Sequence, residues 1–147
     1  MNRIASLCLA ALIAAAALWP AAAGPKSTYR DLPTLVDATM SAFVQALNAR
    51  SMAGFAPRFV AVEGRSEKLE RAYAGLYPHA EVFAQMRSYA PVVTALTAAD
   101  DRPGMLVRGF YPGKYRISFE MLFVLEAGEL KLSAFAVEAR PMASLDA

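Results

Sequence analysis

The stretch Gly104-Met105-Leu106-Val107-Arg108-Gly109-Phe110-Tyr111, a Pro112-Gly113-Lys114 break, then Tyr115-Arg116-Ile117-Ser118-Phe119-Glu120-Met121-Leu122-Phe123-Val124-Leu125-Glu126 decides the fold. Its apolar and aromatic residues recur with a period near two, and the break carries the residues that turns require. Two neighbouring runs extend the pattern. Strands are expected at Val92 to Ala98, Met105 to Tyr111, Tyr115 to Glu126 and Leu130 to Arg140, joined by Asp100-Asp101-Arg102-Pro103-Gly104, Pro112-Gly113-Lys114 and Ala127-Gly128. Short turns between consecutive strands make an antiparallel meander.

Turn lengths set an expected register. A three-residue loop at Pro112 to Lys114 sets Tyr111 against Tyr115, Val107 against Phe119 and Met105 against Met121. A two-residue loop at Ala127-Gly128 sets Leu125 against Leu130, Phe123 against Leu132 and Met121 against Ala134. One face is then almost wholly apolar and must be covered. The other carries Leu106, Arg108, Phe110, Arg116, Ser118, Glu120, Leu122, Val124, Lys131, Ser133, Phe135 and Val137. Two readings of this mixed face stand side by side. Arg108 and Arg116 flank Glu120 as solvated ion pairs, or Phe110, Leu122, Val124 and Phe135 bury apolar area around those charges, Arg108 and Glu120 among them, in a homodimer interface.

Upstream, the period changes to that of a helix. Leu35, Val36, Met40, Phe43, Val44 and Leu47 share one side, with Asp37, Ser41, Gln45 and Asn48 opposite. Asp31 suits the N-cap, Pro33 the first turn, and the helix ends near Arg50. Gly54 and Pro57 break the next segment. Ser66 is the expected cap of a second helix, with Leu69, Ala72, Tyr73, Leu76 and Tyr77 on one face and Pro78 as its stop. His79 to Tyr89 reads equally as helical turn or irregular chain. Helices followed by a meander give an α+β domain.

At the N-terminus, Met1-Asn2-Arg3 leads into the apolar run Ile4 to Trp19, then Pro20 and Ala21-Ala22-Ala23. This is the pattern of a secretory signal peptide, with cleavage expected after Ala23. The expected organisation is a signal peptide over 1–23, a lead-in over 24–30, the α+β domain over 31–140 and a tail over 141–147. The mature chain is then periplasmic or secreted, with no membrane span once the leader is removed. The only cysteine, Cys8, leaves with the leader, so no disulfide supports the fold. Formal net charge over the whole chain is +2, with the two signs interspersed, which disfavours nucleic acid as a partner.

The run from Pro91 through Val137, closing on Phe123-Val124-Leu125-Glu126-Ala127-Gly128-Glu129-Leu130-Lys131-Leu132, resembles the NTF2-like superfamily. That resemblance implies N-terminal helices packed on a curved antiparallel sheet of four or more strands, arranged as a cone. The helix from Leu35 to Arg50 fits the family's first helix. Many exported members carry Trp-Lys-Leu in the last hairpin, where this chain has Leu130-Lys131-Leu132.

The resemblance also implies where an active site would lie, because enzymes of this superfamily place an acid or base inside the cone. The expected register puts Glu138 there, with the phenols of Tyr111 and Tyr115, but no Asp, His or Lys. The lone histidine, His79, follows Pro78 and reads more readily as a loop residue than as a base. His79, Glu138 and Tyr115 are therefore the candidate catalytic groups of an isomerase, cyclase or hydratase. No Gly-x-Ser-x-Gly elbow is present, and one histidine without a mature cysteine does not make a zinc site; neither metal nor cofactor is expected. Tyr73, Tyr77, Tyr111, Tyr115 and Phe119 are the candidates to line a pocket for a small apolar ligand, against plain amphipathic packing. The leading expectation is a non-catalytic exported domain, homodimeric, that binds a small apolar ligand or a protein partner. A structural module of an envelope assembly is the further alternative.

Overall fold

The computed structural model describes residues 31–143; the leader, its cleavage point, the lead-in and the end of the tail lie outside the described residues. Helix α1, Leu32–Ala49, is capped by Asp31, whose carboxylate accepts from the Thr34 N–H at 2.8 Å. It ends at Arg50, which turns left-handed (φ 52°) and returns its N–H to the Ala46 and Leu47 carbonyls. Leu35, Val36, Met40, Phe43, Val44 and Leu47 are all buried, as their spacing requires. Each such side chain contributes about 1.5–3 kcal/mol when fully withdrawn from water.

Two short 3-10 turns, Met52–Gly54 and Ala56–Arg58, lead to an extended segment and then to α2, Arg65–Tyr73. The cap of α2 is Gly64 and not Ser66. The chain enters through a tight reversal in which the Arg65 N–H donates to the Val62 carbonyl, and Gly64 takes φ 70° there, a conformation Ser would resist. Pro78 does not stop the helical path either. A 3-10 turn, Ala74–His79, carries it on to α3, Ala80–Ala84, and a last turn, Gln85–Ser88.

Strands β1 (Val92–Ala98), β2 (Gly104–Tyr111), β3 (Tyr115–Glu126) and β4 (Glu129–Pro141) form one open antiparallel sheet in sequence order. The three helices pack against one face, so the domain is α+β. Between β2 and β3 the register differs from expectation by two residues: Tyr111 pairs with Ile117, Val107 with Met121 and Met105 with Phe123. The cause is Gln85. Its side chain accepts from the Tyr115 N–H (3.1 Å) and donates to the Tyr115 carbonyl (2.6 Å), so this residue bonds to the helical layer instead of Tyr111. An even shift preserves the faces, and Val107, Tyr111, Ile117, Phe119, Met121 and Phe123 are all buried.

The β3–β4 hairpin starts as expected, with Ala127 (φ 51°) and Gly128 (φ 80°) as its two-residue loop and Leu125 against Leu130, Phe123 against Leu132. A bulge then intervenes. Leu122 pairs with Ala134 and Met121 with Phe135, leaving Ser133 as the extra residue. Every later side chain of β4 therefore changes face: Phe135 and Val137 turn to the core, while Ala134, Ala136 and Glu138 turn outward. Val124 and Leu125 also exchange expected roles. Val124 is buried beside Ala99, where the Asp100–Pro103 turn folds back, and Leu125 is exposed.

Between helices and sheet lies an aromatic cluster. Phe43 stands 5.0 Å from Phe135, 5.4 Å from Tyr73, 5.5 Å from Phe55 and 5.8 Å from Phe83, centroid to centroid. Its rings meet tilted or edge-on, the geometry aromatic quadrupoles favour.

Candidate functional site

Three of the four tyrosines expected around a pocket, Tyr73, Tyr77 and Tyr111, hold the structure together by their hydroxyls. Tyr73 donates to the Phe135 carbonyl at 2.7 Å, tying α2 to β4, and burial pushes its phenol up to about 12. Tyr77 donates to Glu70, whose other oxygen accepts from the Met52 N–H at 2.5 Å. Burial, then the bond to this carboxylate, raises Tyr77 to about 12; the Tyr77 hydroxyl, then the Met52 amide, hold Glu70 below its ordinary value of 4.5. Tyr111 is fully buried and donates to Asp37 of α1 at 3.1 Å, with its phenol pushed up by burial and then by that charge. Phe119 is buried against Tyr111, at 5.8 Å between centroids. Tyr115 is half-buried, its backbone clamped by Gln85. These residues fall into separate groups: Tyr73 with Phe43 and Phe135, Tyr111 with Phe119, and Tyr115 at the first position of β3 against Gln85.

His79, Glu138 and Tyr115 do not converge. His79 is exposed at the end of a 3-10 turn in the helical layer. Glu138, expected inside, lies on the outer sheet face because of the Ser133 bulge, and its carboxylate meets the Arg140 Nε at 2.8 Å. Among the described residues, no three His, Cys, Asp or Glu side chains gather as a metal site would require. No described helix is long and apolar enough to cross a membrane.

Four of the five expected interface residues do share one surface. On the outer face, Arg108 pairs across the strands with Glu120 (2.7 Å), Phe110 with Ser118, and Leu106 with Leu122. The Arg116 guanidinium stacks over the Phe110 ring at 4.0 Å. Phe135 is the exception, turned into the core by the bulge; Ala134 and Ala136 replace it, both exposed beside Leu122 and Glu120. No helix covers this face among the described residues. An exposed pair such as Arg108–Glu120 contributes only about 0–1 kcal/mol, so the charges there are not needed for the fold.

A second surface feature has no counterpart in the sequence expectations. An open groove of about 500 Å3 runs between the end of the Ala56–Arg58 turn, the extended Phe59–Val62 segment, the first residue of α2, and Glu126 and Lys131 at the base of the β3–β4 hairpin. The extended segment lies parallel to β4, with the Val60 N–H donating to the Leu132 carbonyl at 2.9 Å.

Asp37, Glu70, Gln85 and Arg65 carry contacts that sequence reasoning missed. Asp37 falls by its spacing on the solvent side of α1, yet it reaches the Tyr111 hydroxyl. For Glu70 a signal existed, since Tyr73 and Tyr77 lie three and seven residues on, along the same helical path. Comparison with protein-family models, curated proteins and solved structures gives no match for this chain.

Proposed function

We propose that this chain is an exported, non-catalytic binding domain of the NTF2-like type, acting as a homodimer through the outer face of its sheet. One observation carries the proposal: an uncovered face on which Leu106, Phe110, Leu122, Ala134 and Ala136 surround the Arg108–Glu120 pair. Apolar area around a self-complementary charge pair is what a two-fold interface needs, because each Arg108 can meet the partner's Glu120 as well as its own. The binding role is supported by where the interior side chains are committed. The phenols facing the core are engaged in bonds to Phe135, Glu70 and Asp37, and their protons are held more tightly than usual, the reverse of what an accessible base requires. A small apolar ligand would accordingly bind at the surface, because aromatic rings occupy the core.

Light scattering on the secreted chain tests this. The expected result is a species of twice the chain mass beginning at Gly24, reduced to a monomer by Phe110→Glu. A monomer at all concentrations removes the dimer, and a retained leader removes the export assignment.

A further inference from the structure

The open sheet has two edges of different character. Along β4 the edge is in use: the Leu132 carbonyl accepts from the Val60 N–H, and the Phe135 carbonyl from the Tyr73 hydroxyl. Past those contacts β4 carries Glu138 and Arg140 and ends at Pro141, and charges and proline keep an edge from pairing. Strand β1 pairs with β2 alone among the described residues. Its sequence, Val92-Val93-Thr94-Ala95-Leu96-Thr97-Ala98, holds no charge, proline or glycine.

One bond assigns the free backbone groups of β1. The Ala99 N–H donates to the Gly104 carbonyl at 3.0 Å, so these two residues form a hydrogen-bonded pair. Such pairs alternate along an antiparallel ladder, and the register is regular from Ala95 to Ala98. Thr97 and Ala95 therefore bond to β2, while Leu96 and Ala98 turn their N–H and carbonyl groups to the open side. The irregularity lies upstream at Thr94, whose hydroxyl donates to the Arg108 carbonyl at 3.3 Å. Leu96 stands opposite the buried Val107, on the face the helices cover, yet it is 55% exposed because the helical layer stops short of it. Unpaired backbone groups and an uncovered leucine thus coincide at one residue.

We infer that β1 pairs antiparallel with the β1 of a second copy, about a two-fold axis at Leu96. Each Leu96 N–H donates to the other copy's Leu96 carbonyl, Ala95 stands opposite Thr97, and the two leucine side chains meet on the helix side of the sheet. An uncharged strand brings no like charges together when set against itself, and a two-fold pair uses up both β1 edges. This contact is separate from the outer sheet face and goes beyond the dimer reading. One short strand pair covers less than the about 1,200 Å2 of a stable interface, so it forms in concentrated protein and is open at the dilution of a light-scattering measurement.

The test uses the chain beginning at Gly24, which contains no cysteine, with single thiols introduced. Only the residue on the axis faces its own copy, with Cα atoms about 5.5 Å apart and within reach of a disulfide. In concentrated protein, Leu96→Cys should form a disulfide-linked dimer on mild oxidation at least tenfold faster than Ala98→Cys, which lies on the same face but off the axis. In the chain without thiols, exchange of the Leu96 amide should slow at least tenfold on concentration. Leu96→Lys should abolish that protection and leave the circular dichroism unchanged. Equal cross-linking at 96 and 98, exchange at Leu96 independent of concentration, protection that survives Leu96→Lys, or protection that appears only when a different polypeptide is added would each overturn the inference. Repeating both measurements in Phe110→Glu separates this outcome from the fate of the sheet-face dimer.

Discussion

Gln85 takes the place of a strand neighbour from within the helical layer. Its amide supplies both the acceptor and the donor that the backbone of Tyr115 would otherwise find on β2, and it approaches the Pro112 carbonyl at 3.5 Å. Gly113 makes room for it: at φ 136° a β-carbon there would fall 2.7 Å from the Gln85 Nε2. Gln85→Ala should therefore lower stability by about 1–3 kcal/mol, the usual consequence of stranding buried backbone groups, as read from urea unfolding. The tyrosines make a different prediction at the same scale. Tyr73 and Tyr77 are raised to about 12 in the folded chain, against 10.0 for an ordinary phenol. The unfolded chain thus releases these protons first. Their contribution to stability is complete below pH 10 and is lost as pH rises from there towards 12. Thermal midpoints followed across that range, with phenolate absorbance alongside, check the sign. Glu70, held below 4.5, acts in the opposite direction, stabilising the fold above that pH and losing its effect on acidification.

Among the elements, β4 shows how one residue decides which side chains are core. Ser133 is extra in its ladder, and beyond it Phe135 and Val137 point inward while Ala134, Ala136 and Glu138 point outward. Deleting Ser133 would leave the same pairs, Leu122 with Ala134 and Met121 with Phe135, in an unbroken ladder, so Phe135 would keep its contacts with Phe43 and Phe55 and Glu138 would stay outside. It should cost much less than Phe135→Ala, about 3–5 kcal/mol, and Ser133→Ala should be nearly neutral. Denaturant midpoints of the three variants decide between them. The same strand marks how far the sequence could be read. Helix α1 was legible to its caps, because its spacing, Asp31 and Pro33 all act locally. The strands were legible within a residue at each end, since alternation and Gly-Pro turns are also local. The β2–β3 register was not, because Gln85 acts from a different layer. The bulge left a faint trace, the shift of large apolar residues from Leu130 and Leu132 to Phe135 and Val137 across Ser133. The expected pocket residues follow the same pattern: Tyr73, Tyr77 and Tyr111 read as pocket lining or as amphipathic packing with the hydroxyl at the surface, and the partners their hydroxyls take, Phe135, Glu70 and Asp37, lie on other turns or elements that local spacing does not reveal.

Taken as a whole molecule, the domain buries one sheet face under its helices and leaves the other bare. The bulge shapes both sides at once, adding Phe135 to the core and a flat bed of Ala134 and Ala136 outside. In the proposed homodimer this bare face is where two copies meet, and stable interfaces of this kind cover roughly 800 Å2 on each partner. The sole cysteine is Cys8, so a chain beginning at Gly24 is free of cysteine and a single introduced thiol reports on one place. Ala136→Cys sits at the centre of the outer face, and Ala72→Cys on the exposed side of α2 serves as its control. Maleimide labelling of each, measured over a dilution series, is the most direct test. In the dimer the thiol at position 136 is shielded at high protein concentration and becomes reactive on dilution, while that at 72 reacts at the same rate throughout. Equal and concentration-independent labelling at both positions would contradict it.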